Sequence, residues 1–269
     1  VGGYVIVSAD DFGSDRPTNE AILAGHRFGV IGAAGLMVNE HAASDAIAMA
    51  RDAPGLDVGL HLVLSGGLAA LTHWEAPSLV DRSGRLRPGV VRAGVAYWFR
   101  RDLRRAVRTE VRAQFARFAR SGLACTHVDG HLHLHMHPVV WDELCLACAG
   151  AGVPWIRLPC EEWRPSRNVP IGRRLEWTAL RWLAPRCRRV AGRHGLRVAD
   201  RVYGHVNSGF MDERCMISTL GRMTGKINEV YLHPGASDVE RRTVVSESVR
   251  EALAGSTASV ATFGELAGR

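Results

Sequence analysis

Five histidines and an aspartate crowd into Thr126-His127-Val128-Asp129-Gly130-His131-Leu132-His133-Leu134-His135-Met136-His137-Pro138. A core has no use for so many imidazoles, whereas imidazole nitrogen and carboxylate oxygen are the ligand set of a catalytic divalent metal that keeps an open position. While the backbone stays extended, His127, Asp129 and His131 share one face, and the later histidines enter the outgoing loop. Three other stretches place polar groups where an apolar run gives way to a turn. Asp10 and Asp11 follow Tyr4-Val5-Ile6-Val7, His61 ends Val58-Gly59-Leu60, and His233 ends Val230-Tyr231-Leu232 ahead of Pro234-Gly235. Asp11, His61 and His127, from three strand ends, would make a metal triad. Asp10, beside a ligand but free of the metal, can take a proton from water, and His233 can give one to a leaving amine. Arg157, in Trp155-Ile156-Arg157-Leu158, either orients Asp10 and keeps it ionised or forms a surface salt bridge. Asp129 and His131 are candidates for substrate contact or for support of the ligands. Asp11 also has a plainer reading, as the cap of the next helix.

The elements that must position these groups are legible as an alternation of short apolar runs with helical patterns. Strands are expected at Tyr4–Ala9, Ala33–Val38, Asp57–Leu62, Cys125–Asp129, Trp155–Leu158, Arg201–Tyr203 and Val230–His233. That rhythm predicts an α/β fold, a (β/α) barrel-like arrangement of mostly parallel strands with the chemistry at the strands' carboxyl ends. Helices are expected over 17–28, over 44–52 with Ser44 as N-cap, and over 102–120, where Leu103, Val107, Val111, Phe115 and Phe118 recur at helical spacing before Gly122. Pro138 suits a helix's first turn. Residues 64–100, rich in glycine, proline and turn formers, read as a long excursion with a small hairpin at Asp81–Leu86. The whole of 1–269 reads as a single catalytic domain.

Composition narrows the classes. Nearly half of the 269 residues are apolar, enough for one large core. No run approaches the ~20 apolar residues of a membrane span. No charged segment with an apolar h-region precedes Tyr4, so cytoplasm is the expected compartment, with the inner membrane surface as a variant. The net charge of +7 is carried by arginine with Lys226 the only lysine. That is a compositional bias more than a nucleic-acid face, since neither a nucleic-acid module nor a row of stacking aromatics accompanies it. The six cysteines need no disulfide framework, and Cys145 and Cys148 lie in an apolar helical stretch as buried, reduced core residues.

In Ala9-Asp10-Asp11-Phe12-Gly13, Asn19-Glu20-Ala21-Ile22, Val58-Gly59-Leu60-His61-Leu62, Thr126-His127-Val128-Asp129-Gly130-His131 and Leu232-His233-Pro234-Gly235, the chain resembles the YdjC-like carbohydrate deacetylases, the family that includes chitooligosaccharide deacetylase. The resemblance implies a distorted TIM barrel of the deacetylase type, a divalent metal (Zn, Mg, Co, Ni or Mn) and removal of an acetyl group from an N-acetylated amino sugar. By position it implies Asp11, His61 and His127 as metal ligands, Asp10 as base and His233 as acid. Leu36-Met37-Val38-Asn39, Leu60-His61-Leu62-Val63-Leu64, the Leu79-Val80-Asp81 to Leu86 hairpin and the Glu110 to Phe118 helix look most like the hopanoid-biosynthesis-associated branch. That likeness implies N-acetylglucosamine carried on a hopanoid, a lipid-linked substrate.

The stretch Arg173 to Arg189 interleaves Leu175, Trp177, Leu180, Trp182 and Leu183 with arginines, as a helix in peripheral membrane contact would. The alternative is an ordinary barrel helix with its apolar face inward. Two other functions fit parts of the pattern: an iron-dependent oxygenase using the His127-Val128-Asp129 motif, and a metal-binding protein without catalysis. Neither needs a base and an acid on separate strand ends.

Overall fold

Val5-Ile6-Val7 and Val58-Gly59-Leu60 carry no polar residue on either side of the pleat, the pattern of parallel strands covered on both faces. The computed structural model, which describes residues 2–268, bears this out. Eight strands form one sheet: β1 (Tyr4–Phe12), β2 (Ala33–Leu36), β3 (Asp57–Leu62), β4 (Cys125–Gly130), β5 (Trp155–Ile156), β6 (Arg201–Tyr203), β7 (Ile227–Leu232) and β8 (Ser259–Val260). The order is β5-β4-β3-β2-β1-β7-β6, β8 lies beside the start of β1, and all these pairings are parallel. The sheet curls until its two ends approach through isolated bridges: Trp155 of β5 pairs with Arg197, and Val202 N, in β6, donates to Cys160 O at 3.3 Å. The result is an α/β half-barrel.

The helices are α1 (Arg16–Phe28), α2 (Ala43–Arg51), α3 (Val90–Phe99), α4 (Arg101–Arg120), α5 (Pro138–Ala151), α6 (Ile171–Arg193), α7 (Glu213–Leu220), α8 (Asp238–Val244), α9 (Glu247–Ala254) and α10 (Phe263–Ala267). They cover the sheet's outer face with a core that includes Val5, Val7, Leu60, Val107, Val111 and Trp141. Inside the curl, Ile6, Ala33, Trp155, Phe263 and Leu266 form a second, smaller apolar plug at the strands' amino ends. Above that plug the interior is polar.

Several local expectations change. The helix at 43–51 has Ala42 as its N-cap with no side-chain bond, so Ser44 lies two residues too deep to serve. The strand expected at 155–158 is only two residues long, and β8 was too short to carry a periodic signal. Cys145 and Cys148 are buried and free, as expected. Within the excursion, antiparallel bridges Leu68–Arg85 and Val80–Leu86 make the small hairpin, but residues 90–99 form helix α3.

What pins the excursion is polar. Glu110, on the inward face of α4, accepts from Ala70 N at 2.7 Å and Leu71 N at 3.0 Å. One turn on, Gln114 accepts from Val63 N at 3.0 Å and donates to Val63 O at 2.6 Å. Both side chains are fully buried, so the bonds satisfy groups that water cannot reach. Glu110→Ala strands two amide donors and should cost about 2–6 kcal/mol at ~1–3 kcal/mol per unsatisfied buried group, read from urea unfolding midpoints. A loss below about 0.5 kcal/mol would show that the excursion is held elsewhere.

Candidate active site

Consecutive strand residues point to opposite faces, so Asp10 and Asp11 reach one site only if β1 is broken between them. The register of β1 against β2 shifts between Ala9 and Phe12, and Asp11 takes a φ of +66°. Left-handed backbone is uncommon outside glycine and least so for Asp and Asn. Asn19 on α1 holds the bulge, accepting from Gly13 N at 2.7 Å and donating to Ala42 O at 3.1 Å. Capping of α1 falls to Asp15, whose side chain accepts from Thr18 N, and the capping role considered for Asp11 is overturned.

Alternation then fills the interior from several strands: Ser8 and Asp10 from β1, His61 from β3, His127 and Asp129 from β4, Glu229 and Tyr231 from β7, with Arg157 just past β5. Glycine makes the room. A Cβ on Gly35 would lie 3.0 Å from both Asp129 Oδ1 and His61 Nδ1, and one on Gly59 would meet the His127 ring at 2.6 Å.

Arg157 is no surface residue; its side chain is fully buried. Its Nη1 donates to Asp10 at 2.7 Å and lies 2.6 Å from Asp129 Oδ2, its Nε donates to Glu229 at 2.7 Å, and its Nη2 donates to Ser8 Oγ at 3.0 Å. The Tyr231 ring lies 4.5 Å from the guanidinium carbon. Three carboxylates thus share one positive charge. Burial pushes the Asp10 carboxyl above its ordinary range, and the nearby Asp129 adds to this against the pull of Arg157. Arg157 therefore orients Asp10 and draws its carboxyl toward the ionised form, against burial. For Asp129, burial acts the same way but Arg157 and His61 outweigh it and hold the carboxyl well below its usual range.

Beside this cluster lies a metal-type constellation made of Asp11, His61 and His131, whose ligand atoms are all within 4.8 Å of one another. Asp11 Oδ1 lies 3.0 Å from His131 Nδ1 and 3.4 Å from His61 Nε2. The other nitrogen of His61 is held by Asp129 Oδ1 at 2.8 Å, the carboxylate–histidine arrangement that orients metal-ligating imidazoles. His61 Nε2 is buried without a hydrogen-bond partner. Burial opposes charge on His61, yet Asp129 and Asp10 hold its pKa well above the ordinary value. Three carboxylates around one guanidinium, with Asp11 beside them, thus attract further positive charge, and the donor set fits a divalent cation. A second grouping, Asp10, His61 and Asp129, is equally close, but both of its carboxylates are engaged by Arg157.

His127 does not join the triad expected for it. It sits one layer deeper, stacked on Phe263 with ring centroids 4.2 Å apart and with Nδ1 2.9 Å from Thr126 Oγ1. Burial drives its pKa down to about 3. His131 takes the third place because the chain leaves β4 there, and the turns over His131–Met136 carry Leu132 and His133 at φ of +54° and +55°. The later histidines are structural: His133 Nε2 lies 2.9 Å from Tyr231 Oη, His135 Nε2 donates to Arg157 O at 3.1 Å, and His137 caps α5.

His233 faces the cluster from β7's end, its Nε2 3.7 Å from Asp10 Oδ2 and its Nδ1 3.8 Å from Glu240 Oε2. Burial lowers its pKa, but the Glu240 contact and the charges of Asp10 and Asp11 overcome that and raise it. Asp11, His131 and His233 keep 17%, 27% and 21% side-chain exposure, while Asp10, His61 and Asp129 keep 2% or less. The cluster is therefore open to solvent on the Asp11–His131–His233 side. Sequence reasoning missed Ser8, Glu229, Tyr231 and Glu240. For the two β7 residues the signal was present, since Glu229, Tyr231 and His233 alternate along one strand face. The oxygenase alternative fails on the parallel α/β sheet and on the engagement of Asp129 by Arg157 and His61.

The model of the YdjC-like protein family matches residues 4–260. A carbohydrate deacetylase of Geobacillus stearothermophilus is 41% identical over 239 residues, 88% of this chain and 81% of that protein. A carbohydrate deacetylase of Brevibacillus brevis is 40% identical over 136 residues, so the match spans about half of each chain, 51% and 52%. A chitooligosaccharide deacetylase of Serratia marcescens is 36% identical over 59% of this chain and 60% of its own. Among solved structures, an Enterococcus faecalis protein described as a candidate for cellobiose-phosphate cleavage superposes with a TM-score of 0.76 over 99% of both chains at 20% identity, a likeness of fold. With the family match running from the first strand to the last, this chain belongs to the YdjC-like protein family.

Proposed function

We propose that this chain is a metal-dependent hydrolase that removes the acetyl group from an N-acetylated amino sugar. The observation that carries the reading is the meeting, at one mouth, of a His/Asp/His ligand set with a buried carboxylate, Asp10, and a histidine of raised pKa, His233. The names of the relatives supply the substrate class. Asp11, His61 and His131 would hold the metal, which when bound acidifies water and polarises the acetyl carbonyl.

This chain's own residues do the rest. Asp10, fixed by Arg157, accepts the proton of the attacking water, and burial gives it the basicity for that task. As the C–N bond breaks, protonated His233 gives its proton to the departing sugar amine, so acetate and a free amine leave. Asp129 holds the His61 ring in place, and Glu240 favours the charged form of His233. In the finer reading the amino sugar is N-acetylglucosamine on a hopanoid or another apolar aglycone, presented at a membrane surface. The apolar cavity next to Leu132 and His133 supports it.

Asp10→Asn should leave bound metal unchanged while acetate release from N-acetylglucosamine or a chitooligosaccharide falls about 10²–10⁴-fold. Unchanged turnover would remove Asp10 as the base. His131→Ala should lose metal in elemental analysis after dialysis, whereas His127→Ala should keep it; the reverse pattern would restore His127 to the triad. Because the Glu240 carboxylate raises the His233 pKa, Glu240→Gln should move the alkaline limb of kcat/KM to lower pH. An unmoved limb would mean that His233 is not the acid.

A further inference from the structure

An ordinary barrel helix hides its apolar residues, and α6 does not. Its buried face carries Leu180, Ala184, Cys187 and Ala191, yet Ile171, Leu175 and Trp182 form a second apolar stripe at helical spacing, exposed to 71%, 65% and 80%. Helix α3 repeats the pattern: Val91, Val95 and Trp98 stand four and then three residues apart, with Phe99 beside them, all exposed and Val91 and Phe99 more than 80% so. The two helices border a cavity of about 600 Å³ lined by Val90, Val91, Leu132, Leu134, Leu175 and Leu183 among others. Leu132, half exposed, and His133 follow the ligand candidate His131 directly, so this apolar face adjoins the mouth of the site.

Such a concentration of exposed large apolar side chains marks an interaction surface. Its charge names the partner. Helix α6 carries seven arginines against one glutamate, Glu176, and α3 with its flanks adds Arg92, Arg100 and Arg101 and no acid before Asp102. Apolar stripes with arginine alongside are the chemistry of a helix lying in a phospholipid interface, where rings enter the acyl boundary and guanidiniums meet lipid phosphates. A second copy of this chain would set these arginines against themselves. We propose that the α3–α6 face docks on an anionic phospholipid surface and brings the mouth of the site to the membrane. The proposal deepens the reading of the site and is measured apart from turnover.

The test uses the full chain carrying Asp10→Asn, sedimented with phosphatidylcholine vesicles with or without phosphatidylglycerol. Binding should be about tenfold or more tighter to the anionic vesicles and weaken with salt. Trp182→Glu and Phe99→Glu should each reduce it about tenfold, while Phe28→Glu, equally apolar and exposed but beside Arg250 of α9, should not. Equal or absent binding to the two vesicle types, or binding indifferent to Trp182→Glu and Phe99→Glu, overturns the proposal. So does light scattering showing a dimer that these two changes split. In the catalytic background, Trp182→Glu should leave acetate release from soluble N-acetyl sugars unchanged. A parent without such release would defeat the deacetylase reading and leave the docking result standing.

Discussion

The guanidinium of Arg157 ties β4 across the interior to the paired strands β1 and β7: Asp10 from β1, Asp129 from β4 and Glu229 from β7 all reach it, with Ser8 Oγ filling a fourth direction. An ionised carboxylate has no place in a dry interior unless it is paired and hydrogen-bonded. Each of the three is so placed by the same cation, and removing one partner of such a buried pair costs about 3–5 kcal/mol. The interior of the half-barrel is therefore held by a charge network above a small apolar plug. The surplus of negative charge in that network favours a further positive charge beside it.

Charge balance and backbone strain are coupled here. Asp11 reaches the outer side of the network only because β1 bulges and the residue accepts a left-handed backbone. His131 reaches it only because β4 ends at Gly130 and the chain turns through Leu132 and His133, both left-handed. Strain of this kind persists where surrounding structure over-determines it. Asn19 supplies that support on one side, and the contacts of His133 with the Tyr231 hydroxyl and of His135 with the Arg157 carbonyl supply it on the other. The histidine-rich run is thus one candidate ligand, His131, with a scaffold of imidazoles around it. Burial keeps the pKa of His135 down at about 4 and that of His133 well below the ordinary value, so these rings stay neutral hydrogen-bonding groups.

The outer surface follows a different logic. The excursion after β3 is anchored by Glu110 and Gln114 so that α3 stands opposite α6, and the turn carrying Leu132 lies between them. Two helices whose exposed stripes are as apolar as their buried ones leave one side of the mouth greasy and cationic. The charged network and the apolar rim thus meet at a single short segment, His131–Met136.

The amino-acid sequence by itself determined the alternation of strands and helices, the carboxyl-end location of the chemistry, and the candidate groups Asp10, Asp11, His61, Arg157 and His233. Those follow from periodicity and residue type, which act over a few residues. It also left Glu229 and Tyr231 readable, since they alternate with His233. Which histidine faces Asp11 was not legible: His127 and His131 share the same strand parity, and only the depth of β4 against β1 and the turn after Gly130 separate them. The inward burial of Arg157 and the outward display of Trp182 were likewise undecided, because an amphipathic pattern fixes a helix's faces but not what each face meets. Tertiary structure decided these points, since register, bulge and left-handed backbone are set by packing between segments more than a hundred residues apart, as Asp10 and Arg157 are.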